Sequence, residues 1–156
     1  MTIGTDALIK FSGTQDQVDS SSGSVANDAF SVAGDVSDWT NDDDSPGAFF
    51  TLRAQFATMP TVGSISLHCA VLNIQSTNDE SDVDSSNDGH FLGEFKIDFG
   101  IGNATNFYAG LHVPELPPGI ATSQIYRFFI KNNGTSQTVT AGWGLWVTPT
   151  THGPHA

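Results

Sequence analysis

The stretch from Ser123 to Pro149, SQIYRFFIKNNGTSQTVTAGWGLWVTP, constrains this chain more than any other. Two segments rich in aromatic and β-branched residues flank Asn132-Asn133-Gly134-Thr135-Ser136. Asn and Gly tolerate the positive φ angles that a tight β-connection needs. Before the turn, Tyr126, Phe128 and Ile130 alternate with Arg127, Phe129 and Lys131. After it, Trp143, Leu145 and Val147 share one face, and Gly144 and Trp146 the other. A period of two marks strands. The stretch therefore predicts a long antiparallel ribbon supplying much of a β core. Both faces of that ribbon are aromatic, so each needs a cover. One facing sheet covers one face; a further layer, a neighbouring subunit or a sugar must cover the other.

The rest of the chain repeats the theme. Short strands are expected around Ala29–Val32 and Val36–Trp39. AFFTLRAQFA follows, with Phe50, Leu52, Ala54 and Phe56 inward and Arg53 and Gln55 outward. SISLHCAVLNI, with Ile65, Leu67, Cys69 and Val71 on one face, reads as a central strand, and His68 opposite them as a hydrogen-bonded structural histidine. In FLGEFKIDF, Phe91, Phe95, Ile97 and Phe99 alternate with Leu92, Glu94, Lys96 and Asp98. In FYAGLHV, Phe107, Ala109, Leu111 and Val113 point inward. Sixteen Gly and seven Pro punctuate these segments, and neither a helical period nor a fixed repeat is visible. The expectation is an all-β protein, an antiparallel β-sandwich of jelly-roll-like form. Residues 1–24 read as a polar arm with one apolar patch at Leu8, Ile9 and Phe11. Residues 25–149 read as the sandwich, and 150–156 as a Pro-rich tail that leaves the sheet.

Charge narrows the partners. Seventeen acidic residues face only Lys10, Arg53, Lys96, Arg127 and Lys131, a net of −12. Nucleic-acid affinity comes largely from phosphate contacts, and anionic membranes bind clusters of Lys and Arg. Neither partner fits. No stretch approaches the ~18 apolar residues of a membrane span. MTIGTDALIKFSG lacks the basic and apolar regions of a secretory signal. Cys69 has no second cysteine to pair with, so stability is expected from packing or from other subunits.

The chemical candidates are few. No nucleophile elbow, zinc-protease helix, phosphate-cradling loop or dinucleotide fingerprint occurs. Glu80, Glu94 and Glu115 have no motif to support carboxylate catalysis, so no enzyme is expected. Asp84-Ser85-Ser86-Asn87-Asp88-Gly89 resembles the opening of a calcium loop, with Asp84 and Asp88 as the ligands. Phe95 stands where a bidentate Glu belongs. Asp42-Asp43-Asp44 adds a second concentration of carboxylate. No cofactor is expected beyond this possible Ca2+, and the five His, including His152 and His155, lack zinc spacing. Asn103-Ala104-Thr105 and Asn133-Gly134-Thr135 match the N-glycosylation pattern and are read as chance. Trp39, Trp143 and Trp146 could serve a sugar-binding platform. Phe129, Trp146 and Trp39 are the residues expected at an oligomer or partner interface.

LNIQSTND, the Ser/Asp loop after it, FLGEFKID, LPPG and IYRFFIKNNGTSQTVTAGWGLWVTP together resemble small β-rich structural proteins of tailed bacteriophages. The resemblance covers roughly Val71 to Pro149. It implies a virion component: a capsid cement or decoration protein, made in the host cytoplasm and bound to the major capsid protein on the outer face of the head. A homotrimer is the expected assembly. Two alternatives stand beside it: a carbohydrate-binding module of a tail fibre or baseplate, and a head–tail connector or tail-tube subunit.

Overall fold

The structure is a computed structural model that describes residues 10–11, 13–20, 22–42, 44–72, 79–118 and 123–151. Leu8, Ile9, Asp43, Ile74, His152 and His155, with most of the expected tail, lie outside the described residues. The chain is all-β, two antiparallel sheets packed face to face, with one 3-10 turn at Ala33–Asp35 among the described residues. The strands are β1 (Lys10–Phe11), β2 (Asp16–Gln17), β3 (Trp39–Asn41), β4 (Gly47–Ala54) and β5 (Ser64–Leu72), then β6 (His90–Phe95), β7 (Phe107–Val113), β8 (Gln124–Asn133) and β9 (Gly144–Thr151). The first sheet runs β1-β9-β4-β7, with β2 also paired to β9; the second runs β3-β8-β5-β6.

The alternation read from sequence holds along most strands. Phe50, Leu52, Ala54 and Phe56 are buried, as are Ile65, Leu67, Cys69 and Val71. Phe50 of the first sheet meets Phe128 of the second edge-to-face, with ring centroids 4.8 Å apart. Such pairs add to the area term of about 25 cal/mol per Å².

The expected ribbon does not form. β8 pairs with β3 and β5, while β9 pairs with β4, β1 and β2, so the two halves lie in opposite sheets. The turn residues do end β8, with Gly134 and Ser136 at φ of +59° and +56°. A hairpin, however, needs a connection of about two to five residues. Here residues 134–143 cross between the sheets, held by bridges from Val139 to Val25 and Phe56. Asn132, fully buried, sends its amide to the carbonyls of Val25 and Gln137 and accepts from Thr135 Oγ1.

Three other expectations change. First, the described part of the arm belongs to the sandwich: β1 and β2 pair with β9, Val18 is buried, and Leu145 N donates to Asp19 Oδ1 at 2.7 Å. Second, β9 runs on to Thr151 through Pro149. Pro149 falls opposite the interval between β1 and β2, where no partner strand calls for its missing N–H. Third, the alternation of β6 breaks. A bulge against Leu67/His68, with Gly93 at φ +146°, turns Phe91 outward (61% exposed) while Phe95 stays buried. The strands expected around Ala29–Val32 and Val36–Trp39 reduce to bridges at Phe30 and Val36 and to β3. Asp35 fixes that region by accepting from Gly23 N and Val32 N.

Candidate binding surface

A two-layer sandwich leaves two outward sheet faces, and this chain treats them differently. On the second sheet, the outward residues of β8 are Ile125, Arg127, Phe129 and Lys131, opposite Leu72, Ala70, His68 and Ser66 of β5. The segment 79–88 folds back over this face. Arg127 grips Asp38 with two nitrogens (2.6 and 3.1 Å) and donates to Asp82 from the third at 2.6 Å. These carboxylates raise its pKa further still. Lys131 reaches Asp88 at 3.4 Å and lies 4.6 Å from the Phe30 ring centre. His68 Nδ1 sits 2.8 Å from the Asp88 carbonyl and its Nε2 2.9 Å from Ser66 Oγ. A carbonyl only accepts, so Nδ1 is the donor there, and burial lowers the His68 pKa, favouring the neutral ring. His68 is thus the structural histidine expected from sequence.

This answers the question of what covers the second aromatic row. Phe129 is fully buried inside the chain, so it offers no surface to a subunit or partner. Trp39 is only 4% exposed; it packs against Tyr126 and Phe128 and donates from Nε1 to Asp16. Of the three residues expected at an interface, Trp146 alone reaches the surface.

Trp146 belongs to the outward face of the first sheet, which is open at Tyr108, Gly110 and Phe11 and closed at Thr150. The paired rows are Thr148–Phe49–His112, Trp146–Thr51–Gly110 and Gly144–Arg53–Tyr108. Phe11 of β1 adds an exposed ring edge-on to Phe49, at 6.2 Å between centroids. Glycines let the rings lie down: a Cβ at Gly110 would stand 2.7 Å from the Phe49 ring, and one at Gly144 would collide with Trp146. Arg53 lies 5.5 Å from the Trp146 ring centre, within cation–π range, and donates to the Gly142 carbonyl at 3.1 Å. Tyr108 beside it is 68% exposed. No carboxylate stands in these rows of β9, β4 and β7; beyond β9, Gln17 of β2 pairs with Trp146 and donates to Asp19, whose other oxygen accepts from Leu145 N.

Sequence reasoning named Trp146 and missed Phe11, Phe49, Arg53 and Tyr108. The signal was present in part: the outward members of AFFTLRAQFA and FYAGLHV are aromatic, small, basic or, at Gln55, an amide, and never acidic.

The other candidates do not converge. Asp84 Oδ1 accepts from Ser86 N, Ser86 Oγ and Asn87 N, which lowers its pKa and closes its own turn. Asp88 faces Lys131. Among the described residues no three His, Cys, Asp or Glu side chains gather as metal ligands. Glu80 pairs with His90 at 2.8 Å and caps Val71 N, and Glu94 accepts from Ser64. The Cys69 thiol is buried and its pKa pushed up, far from a thiolate. Burial likewise pushes Tyr126 up to about 12. Asn103 accepts from Met59 N and Asn133 donates to Ser66, so both candidate glycosylation asparagines serve internal bonds. Among the described residues no helix is long and apolar enough to cross a membrane. No family model, curated protein or solved structure matches this chain.

Proposed function

We propose that the chain is a non-enzymatic structural protein of a phage virion, a decoration subunit bound to the major capsid protein on the outside of the head. The observation that carries this reading is the strand order. β1/β2-β9-β4-β7 facing β3-β8-β5-β6 is the arrangement expected of a jelly roll, in which two Greek keys wrap the chain around a double sheet. Viral capsid domains and lectins share that architecture. This step is an argument by fold analogy, and surface properties and the phage-like sequence pattern support it. A net of −12 suits the exterior of a shell better than a DNA-filled lumen, and keeps free copies apart before assembly. Lys10 pairs with Thr151, so both ends of the described chain lie side by side at one sheet edge. An edge of this kind can take up a strand from a neighbour by strand addition, in a trimer or on the shell.

The test uses heads stripped of the protein. Full-length chain should rebind to saturation and restore heat resistance, whereas a variant lacking residues 1–9 should fold normally but attach weakly. Absence of saturable rebinding by the full-length chain refutes the reading.

A further inference from the structure

We infer that the bare face of the first sheet is a carbohydrate platform, taking a short oligosaccharide with a sugar ring on Trp146 and a carboxylate of that sugar at Arg53. The inference does not depend on the virion reading, since it concerns only what this face holds.

Size is the first argument. The outward rows of β9, β4 and β7 span about 10 Å across and run about 13 Å from Gly144 to Thr148. Their footprint, on the order of 100–200 Å², is a fraction of the roughly 800 Å² per partner that a stable protein interface buries. An occupant of a few rings fits; a protein surface does not.

Composition is the second. The rows hold no Leu, Ile, Val or Met, the side chains that would give a dry protein contact its centre. Aromatic rings alternate instead with hydroxyl and glycine positions, as at Trp146–Thr51–Gly110. A pyranose presents C–H groups on its faces and hydroxyls around its rim. A ring laid flat on the sheet meets the first, and Thr and Tyr hydroxyls beside it meet the second.

Charge is the third and selects the kind of sugar. Arg53 makes no ion pair among the described residues, unlike Arg127 and Lys131. Its guanidinium is steadied by Trp146 and the Gly142 carbonyl, with donors left over for a carboxylate in fork geometry. The three rows contain no acid, and the carboxylate beyond β9, Asp19, is already tied to Leu145 N and Gln17 Nε2. The carboxylates elsewhere are screened beyond a Debye length of about 8 Å at physiological ionic strength.

The experiment titrates full-length protein with an array of uronate-bearing, sialate-bearing and neutral oligosaccharides, read by tryptophan fluorescence and calorimetry. At least one acidic glycan should bind saturably, about tenfold tighter than its neutral counterpart. Tyr108→Ala should weaken it several-fold with an unchanged circular dichroism spectrum, and Arg53→Gln should erase the preference for acid. Silence across the array overturns the inference. So does binding that ignores Arg53→Gln, or a dimer in light scattering that Tyr108→Ala dissolves. Loss of capsid rebinding by Tyr108→Ala, with the array silent, would assign the face to the shell and also overturn it.

Discussion

Phe129 and Tyr108 are both aromatics on an outward row, one on each sheet, yet Phe129 is fully buried and Tyr108 is 68% exposed. Their surroundings share a recipe. Each face sets an arginine among aromatic rings: Arg127 beside Phe129, Arg53 beside Trp146 and Tyr108. What differs is the return of an acidic loop. On the second sheet, the exposed carboxylates of Asp82 and Asp88 come back onto Arg127 and Lys131, and Val83 in the same loop is buried. On the first sheet no carboxylate reaches Arg53 among the described residues. The closed face combines two devices: carboxylates of a polar loop tied to Arg127 and Lys131, and apolar cover that includes buried Val83 and the ring of Phe30 against His68.

The contrast can be broken most forcefully at Phe129. Phe129→Ala should cost about 3–5 kcal/mol, the range for emptying a packed aromatic site, measured by guanidinium unfolding. A loss under ~1 kcal/mol would mean the loop does not pack on the ring. Arg127→Gln should come next, at about 1–2 kcal/mol, since it removes charge-assisted bonds that are partly open to water. Hydrogen exchange should then speed up in residues 80–88 and leave β4 and β7 unchanged.

His68 sharpens the comparison by pH. Its folded-state pKa lies below the unfolded value near 6.5, because burial disfavours the charged ring. Its contribution to stability is therefore complete above pH of about 6.5 and is lost as pH falls through the folded pKa. Subtracting the pH–stability curve of His68→Gln isolates this slope from the many carboxylates, and a flat difference would remove His68 from the account. The smallest effect belongs to the open face: Tyr108→Ala should change stability by no more than about 0.5 kcal/mol. A larger loss would mean that Tyr108 is already packed against something.

Much of this was legible along the chain. Side-chain parity is a local property, so Phe50, Leu52, Leu67, Phe128 and Leu145 could be assigned to the core from alternation alone. Pairing is not local. The separation of β8 from β9 depends on Val139 docking to Val25 and Phe56, residues far away in sequence. The parity flip at Phe91 depends on one bulge at Gly93, which alternation across a strand cannot announce. The candidate surface suffered most for this reason. Its rows join residues 49–53, 108–112 and 144–148, and they exist only once three distant strands are in register. Trp146 was found because it broke a local pattern; Tyr108 broke none.

The pairing of β9 with β1, β2 and β4 bears on the moment at which this protein can fold. β4 and β7 pair directly, but the strand that joins them to β1 and β2 follows both along the chain. Until residues 144–151 are in place, β4 presents an open edge and Phe50 has only part of its cover. Closure of the first sheet thus waits on pairings that span most of the chain, such as Lys10 with Thr151, and long-range pairing of this kind is slow and exposed to mispairing. Chaperones that shield open strand edges should matter most before β9 docks.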